Sequence, residues 1–430
     1  MSATTSAAVI LAVMVAAFIV AKVLKVSTEL ALLAAALAGA LAGGNGVPAR
    51  HIVEGAFTYF DIVLIFVTAT LFMNLLKESG AAAFVVRAIL RRFHRHKAPL
   101  FVLLALLLLV PGALTGAGSV TVLIMGGMAA TVLRTMDIPG PKVAAIIFII
   151  AGLSAAAPPV NIWAMLTAAG VNMPYVGFFL PLLVPCVVLS VLAIFILGAK
   201  AKPVDLAKAL ADLPEAPAKM TWLRVAAPFL VFFLFVIAGR VFPFDIPVLG
   251  LPLVFAAAAA AALALSPVKI AFLRVSRETV HQLLPLIGTL TCAGILVQIM
   301  ALTGVRGLIA ITTVTLPVTV VFLALFLILP VSESVLMWGA APVLGVPLVL
   351  LFNTIGLNPV VALAGMSVIW PLGDALPPTA IIGRLTASTV GMTEPYGKFL
   401  RYCLLPGILV AIVGTLMVVF SKSLAFLTVF

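Results

Sequence analysis

Prolines recur at a fixed spacing in the two halves of this chain of 430 residues. In each half a single proline is followed 47 residues later by a diproline, and the two sets are offset by 219 residues. These landmarks are Pro111 with Pro158-Pro159 and Pro330 with Pro377-Pro378. Proline lacks an N–H and clashes with the preceding helical turn, so we predict that each landmark breaks a helix. The spacing therefore predicts two copies of one fold, each interrupted at two points.

The segments around these prolines are apolar enough to lie in a membrane. The chain is 64% hydrophobic and 9% charged, with a mean hydropathy of +1.35. Soluble domains are about 25% charged, and runs of about 20 apolar residues span a bilayer. We therefore predict an all-α polytopic membrane protein. Lys and Arg mark cytoplasmic loops in such proteins, so the net charge of +12 gives no reason to expect a nucleic-acid partner.

We predict two repeats joined by a polar linker at 199–223. The first repeat (1–198) contains spans at 6–21, 28–43 and 59–76, a re-entrant hairpin at 99–133, a broken helix at 142–169 and a span at 175–198. The second (224–430) contains spans at 225–240, 247–266 and 280–302, a hairpin at 315–352, a broken helix at 359–385 and a span at 402–420. Residues 81–97 are amphipathic and predict an interfacial helix, with 304–314 as its counterpart.

Each predicted repeat crosses the membrane an odd number of times, so the two copies are expected to be inverted. If 81–97 is cytoplasmic, all but four of the 25 Lys and Arg residues lie inside. The four exceptions are Arg50, Arg240, Arg306 and Lys422. This arrangement predicts a multi-pass protein of a bacterial inner membrane, with both termini outside and the linker in the cytoplasm.

The first hairpin carries a cluster of small and hydroxylated residues. The candidates for ion or substrate contact are Thr115, Gly116, Gly118 and Ser119. Glycine lets backbone groups approach a ligand, and neutral oxygen clusters suit a hard cation such as Na⁺. Close helix packing through small residues is the alternative explanation.

The second hairpin places an acid deep in an apolar run. The candidates here are Ser332, Glu333 and Ser334. A carboxylate at bilayer depth costs several kcal/mol unless it is paired or ion-bound. Glu333 is therefore a candidate for an ion site, or for capping the following half-helix.

The two diproline segments supply the remaining candidates. These are Ser154, Pro158 and Asn161 in the first repeat, and Gly373, Asp374, Thr379 and Arg384 in the second. Half-helix N-termini after such breaks direct positive dipole ends at an anionic substrate group. Arg384 has three open roles: reaching the membrane interface, pairing with Asp374, or contacting a substrate carboxylate. Trp163, Trp338 and Trp370 lie near the breaks, where packing is the default interpretation.

The sequence has no P-loop, Rossmann fingerprint or zinc motif, and no catalytic cluster within its apolar segments. We therefore expect neither ATP-driven transport by this chain alone nor an enzyme, and we expect no cofactor. A membrane enzyme or an assembly scaffold is the alternative from another class.

From about 60 to 420 the chain resembles the large membrane subunit of tripartite ATP-independent periplasmic (TRAP) transporters, within the wider ion-transporter superfamily. The similar stretches are Met73-Asn-Leu-Leu-Lys-Glu-Ser-Gly80, Gly116-Ala-Gly-Ser119, Gly152 before the first diproline, Glu333, Gly356-Leu-Asn-Pro359, and Gly373 before the second diproline. The resemblance implies an elevator mechanism, in which hairpins and broken helices slide against a scaffold. It also implies Na⁺-coupled import of organic acids with a small four-helix membrane subunit and a periplasmic substrate-binding protein.

Two departures from the family pattern bear on the coupling ion. The family usually has Thr directly before the second diproline, where this chain has Leu376, with Asp374 two residues earlier. The first hairpin reads Thr-Gly-Ala-Gly-Ser instead of the commoner Ser-Gly-Ser. Asp374 is expected either to supply the missing oxygen or to carry a proton. Two acids near the site would repel an anion unless cations or protons neutralise them.

The sequence thus predicts a secondary transporter that imports a small organic anion such as a carboxylate. Na⁺ is the expected coupling ion, with H⁺ as the alternative, and membrane lipid surrounds the protein. The second hypothesis is an exporter or cation/proton antiporter of the same superfamily that works without a binding protein.

Overall fold

A computed structural model describes residues 3–242 and 249–429, apart from the side chains of Arg240, Val314 and Val429. The described residues are helical throughout and contain no strand. The predicted start of a span at 247 and the side chain of Arg240 lie outside what is described.

The first half contains eleven α-helices and one π-helical turn. The α-helices are Ala3–Val23, Thr28–Ala42, Ala49–Phe57, Phe60–Glu78, Ala81–Phe93, Lys97–Thr115, Gly118–Thr121, Gly127–Thr135, Gly140–Ala156, Ile162–Gly170 and Phe179–Leu197, and the π-turn is Val122–Gly126. We name 97–135 hairpin 1 and 140–170 broken helix 1.

The described part of the second half follows the same order of elements. Its α-helices are Trp222–Val241, Leu251–Ala264, Phe272–Leu302, Val305–Thr315, Val318–Leu336, Val346–Thr354, Pro359–Ile369, Ile381–Val390 and Tyr396–Val419, with a π-turn at Ala341–Gly345 and 3₁₀ turns at Met337–Gly339, Trp370–Ala375 and Ala425–Val429. We name 318–354 hairpin 2 and 359–390 broken helix 2. The two π-turns lie 219 residues apart, as the diprolines do.

Nine helices within the described ranges are at least 18 residues long and apolar enough to cross a membrane. Shorter apolar helices, such as Gly140–Ala156, accompany them. The prediction of an all-α polytopic membrane protein is thereby confirmed. The inverted orientation of the two halves stays a prediction.

The hairpins turn later than the sequence predicts. Pro111 and Pro330 lie inside helices instead of breaking them. The chain reverses at Gly116, which has a left-handed φ of 67°, and at Met337, with a φ of 54°. Proline removes a single helical N–H, and the chain continues helically for only about another turn. The Thr115 hydroxyl, in turn, donates to the carbonyl of Pro111 at 2.7 Å.

Two helices lie where the sequence predicts none. Ala49–Phe57 precedes the predicted span at 59–76. Leu206–Asp212 forms within the predicted linker, because Asp205 caps its N-terminus by accepting from the Lys208 amide at 3.1 Å.

Broken helix 2 is held against the last long helix by glycine. A Cβ on Gly365 would lie 2.5 Å from the carbonyl oxygen of Gly414, and one on Gly414 would lie 2.6 Å from that of Gly365. The two backbones can approach so closely only without side chains. This crossing fixes the helix that leads into the second diproline.

Candidate functional site

Both diprolines lie in breaks between helices. Gly140–Ala156 ends before Pro158-Pro159 and a new helix begins at Ile162. Trp370–Ala375 ends before Pro377-Pro378, and the chain becomes helical again at Ile381. The Pro-Pro peptide bond is cis in each break. The breaks bring backbone and polar side chains into an otherwise apolar interior.

The first break is closed by hydroxyl groups that bond one another. Ser154 and Thr121 are both fully buried, and their side-chain oxygens lie 2.8 Å apart. Thr121 also accepts from the backbone N–H of Gly112 at 2.9 Å. A Cβ on Gly112 would lie 1.9 Å from the Ser154 oxygen, so this hydroxyl fills the space next to the glycine. The cluster is neutral and satisfied.

The other candidates of hairpin 1 have mainly structural contacts. Thr115 bonds the backbone of its own helix, and Gly116 provides the left-handed turn. A Cβ on Gly118 would lie 2.7 Å from the carbonyl oxygen of Ala151, so hairpin 1 packs directly on broken helix 1. Ser119 is half-buried, and its hydroxyl has no partner among the described residues.

The half-helices after the two breaks begin differently. Asn161 caps the first by accepting from the Ala164 amide at 2.8 Å, and its amide donates to Ala156 at 2.7 Å. Pro158, which precedes it, lines an apolar cavity. At the repeat offset, Asn161 corresponds to Ala380, which has a left-handed φ of 45° and no capping side chain. The second half-helix therefore keeps its N-terminal amides free of a side-chain cap.

Two buried acids face each other beside the second break. Glu333 is 0% exposed and Asp374 is 5% exposed. They are close enough for their charges to repel. Within the described structure, Oε1 of Glu333 and Oδ2 of Asp374 have no hydrogen-bond partner. Unpaired carboxylates in this environment cost several kcal/mol each, so the pair requires a proton or a cation when it faces the membrane interior.

Trp163 is the one described side chain that bonds this acid pair. Its indole Nε1 donates to Oε2 of Glu333 at 2.9 Å, and both residues are fully buried. Trp163 lies in the half-helix that follows the first break, whereas Glu333 belongs to hairpin 2. The bond therefore joins the two repeats at the site. The carboxylate caps no half-helix, so the capping role considered for Glu333 is wrong.

Gly373 makes the close approach of the two acids possible. A Cβ at this position would lie 2.2 Å from the carbonyl oxygen of Pro330 and 2.7 Å from the Cβ of Glu333. The backbone next to Asp374 thus packs directly on the turn that carries Glu333. Only glycine fits there without displacing one of the two segments.

The hydroxyl groups near the acids donate to backbone carbonyls. Ser332 and Ser334 donate to Leu329 and Val331 of their own helix, each at 2.8 Å. Thr379 donates to the carbonyl of Ser334 at 2.8 Å and so joins the second break to hairpin 2.

No basic side chain of the described residues pairs with the acids. Arg384 is exposed and forms no ion pair with Asp374. Of its three predicted roles, the pairing with Asp374 is therefore wrong. The other two, reaching the interface and contacting a substrate, stay predictions.

The two repeats have equivalent backbones and different chemistry at this point. At the offset of 219 residues, Ser154 corresponds to Gly373 and Leu114 corresponds to Glu333. The first repeat fills the space beside its hairpin with a hydroxyl, and the second leaves it open for two carboxyl groups. Charge is therefore concentrated on one of the two breaks.

Three residues of this region escaped the sequence analysis. Thr121 lies two residues past the predicted cluster, and Trp163 was assigned to packing. Tyr396 donates to the carbonyl of Ala375 at 2.8 Å and anchors the backbone beside Asp374. The position of Trp163, two residues after the cap Asn161, was the available signal, because a buried indole N–H needs an acceptor.

We expect Trp163→Phe to reduce gradient-driven transport about tenfold, because a hydrogen bond to a charged group contributes about 1.5–3 kcal/mol. The ring volume is largely kept, so the melting temperature should change by only a few degrees. Transport in proteoliposomes and thermal unfolding of the purified protein provide the two measurements. Trp338→Phe is the matched control, because the Trp338 indole has no hydrogen bond among the described residues. Equal transport by the two variants would contradict the assignment.

No protein-family model and no curated protein sequence matches this chain. Solved structures do match it. The YdaH transporter of Alcanivorax borkumensis, described as having an unusual topology, has a TM-score of 0.61 at 16% identity over 86% of this chain and 87% of its own. Neisseria gonorrhoeae MtrF, described as illuminating a class of antimetabolite efflux pumps, has a TM-score of 0.60 at 13% identity over 86% of this chain and 83% of its own.

These similarities concern the fold. The chain has a fold that membrane transporters use, and both neighbours are transporters rather than enzymes. The resemblance to TRAP large subunits stays a prediction.

Proposed function

We propose that this protein is a secondary active transporter for a small organic anion such as a carboxylate, with Glu333 and Asp374 carrying the coupling ion. One observation supports this most strongly: two buried acids face each other at a helix break, and no basic side chain of the described residues pairs with them. Intramembrane carboxyl groups of this kind mark ion and proton pathways. The transporter fold agrees with this proposal.

Among the two coupling ions, the side-chain chemistry favours H⁺ over Na⁺. A bound Na⁺ needs several oxygen ligands, and Leu376 stands where the family has a threonine. The hydroxyls of Thr121 and Ser154 in the other repeat already bond each other. A carboxyl pair carries a proton without further ligands. Na⁺ coupling is the competing outcome.

The proposed cycle starts with protonation of the acid pair. Loss of negative charge removes the repulsion toward an anion. The anion then binds near the uncapped half-helix at Ile381, where amides and the helix dipole favour negative charge. Hairpins and broken helices move together against the scaffold, as in an elevator, and release both on the opposite side. The unprotonated empty site is costly to bury, which couples the two movements.

Import is the proposed direction, because protonation that promotes anion binding produces symport. In its finer form the proposal is a TRAP-like system with a small membrane subunit and a periplasmic binding protein. Export without a binding protein is the second candidate. The shared fold with MtrF, described as belonging to a class of antimetabolite efflux pumps, favours that candidate.

Proteoliposomes loaded with a pH-sensitive dye distinguish these possibilities. Succinate, lactate and benzoate are added outside under an imposed pH gradient, an imposed Na⁺ gradient, or neither. We expect at least one carboxylate to enter together with protons, with no requirement for Na⁺. Proton release on carboxylate entry would identify antiport and favour export. Indifference to both gradients would reject secondary transport.

A further inference from the structure

The structure contains an apolar cavity of about 560 Å³ beside the first diproline. Its walls come from helix Phe60–Glu78, from the amphipathic helix Ala81–Phe93, from hairpin 1 and from helix Trp222–Val241. The first three belong to the first repeat and the last to the second. The cavity therefore lies at a joint between the repeats, separate from the acid pair.

The lining determines what can occupy this cavity. Val110 and Pro158 on one side face Phe229 and Val236 on the other, and the remaining lining is also apolar apart from Lys77. A buried water requires two to four polar partners, which this surface does not offer. The volume falls within the range of about 300–1,000 Å³ typical of ligand sites. An apolar chain suits the space better than water does.

The position of Lys77 indicates the head group of the occupant. Lys77 is exposed in the last turn of helix Phe60–Glu78 and forms no ion pair within the described ranges. The amphipathic helix that follows exposes Arg91 and Arg92 in its last turn. Basic residues at the end of a membrane helix attract anionic lipid head groups, at about 1 kcal/mol per residue.

We propose that this cavity binds one acyl chain of an anionic phospholipid, with the head group at Lys77. The chain extends from the interface past Ala82 and Val85 toward Pro158 and Pro159. It fills the space between the first break and helix Trp222–Val241. A membrane rich in anionic lipid thereby supports the packing of the two repeats.

Photo-crosslinking tests the site without requiring transport. Wild-type protein in nanodiscs receives phosphatidylglycerol or phosphatidylcholine with the same diazirine-labelled acyl chain, and labelled peptides are identified by mass spectrometry. We expect phosphatidylglycerol to label residues of the cavity wall at least fivefold more than phosphatidylcholine does. No labelling of the cavity by either lipid would overturn the proposal.

Matched variants locate the chain and the head group. Val236→Trp fills the cavity and should reduce labelling at least fivefold, whereas Ile237→Trp, at a neighbouring position that is 57% exposed, should not. Ala82→Phe on the opposite wall gives an independent blocking variant if Val236→Trp folds poorly. Lys77→Gln should remove the preference for phosphatidylglycerol, and Lys200→Gln in the linker should preserve it.

Two further outcomes would contradict the assignment. An unchanged lipid preference in Lys77→Gln would reject the head-group position. Stronger labelling by diazirine-labelled palmitate than by phosphatidylglycerol would assign the cavity to a free amphiphilic anion. Because the readout is binding, a protein that transports no carboxylate could still confirm the lipid site.

Discussion

Glu333→Gln is expected to lower proton-driven accumulation about a hundredfold or more, since the carboxylate it removes is worth several kcal/mol at this depth and 1.4 kcal/mol corresponds to a factor of ten. The amide keeps the volume and can still accept from the Trp163 indole. It cannot change its charge, so the site loses its response to the proton gradient. Folding should be preserved or improved, because a buried charge disappears.

The measurement is uptake in proteoliposomes under a pH gradient, with thermal unfolding as the test of folding. Glu78→Gln is the matched control, because its ion pair with Arg274 is exposed at the surface, where such pairs contribute little. Asp374→Asn should cause a similar loss. In the double variant the losses should be far from additive, because the two acids act on one ion. Full gradient-driven uptake by both single variants would refute the assignment of the acid pair.

Gly373→Ala is expected to have the second-largest effect. The added methyl group would lie 2.2 Å from the Pro330 carbonyl oxygen and 2.7 Å from the Glu333 Cβ, so the break and hairpin 2 must separate. Overpacking of this kind costs about 1–3 kcal/mol. It also displaces Asp374 relative to Glu333, so we expect transport to fall by more than the loss of stability explains.

Transport per folded molecule and the melting temperature should be measured together. Gly127→Ala in hairpin 1 is the control, because nothing lies within 4 Å of the position its methyl group would take. That variant should fold at least as well as the native protein, since alanine favours a helix over glycine by about 1 kcal/mol. Normal transport by Gly373→Ala would show that the spacing of the acids is unimportant.

The sequence predicted those features that depend on local chemistry. Proline interrupts helices regardless of its neighbours, so the breaks at Pro158-Pro159 and Pro377-Pro378 could be placed from spacing alone. An acid in an apolar run is conspicuous for the same reason, which identified Glu333 and Asp374 before their contacts were known. The all-α membrane fold followed from hydropathy.

Features that depend on tertiary contacts could not be predicted in this way. Met337 begins the turn of hairpin 2, although methionine carries no turn signal, because the helix continues past Pro330. Trp163 is 170 residues from Glu333 in the chain, and no local pattern indicates that they meet. The space at Gly373 and its filling by Ser154 in the other repeat become visible only when both breaks are compared in three dimensions.

The unequal chemistry of the two breaks has an electrical consequence. A symmetrical pair of ion sites would draw charge from two depths of the membrane, whereas here a single location holds ionisable groups. If one proton accompanies a singly charged anion, the loaded carrier bears no net charge and the membrane voltage does no work on it. Only the returning empty carrier is then sensitive to voltage, at about 2.3 kcal/mol per elementary charge and 100 mV for a full crossing.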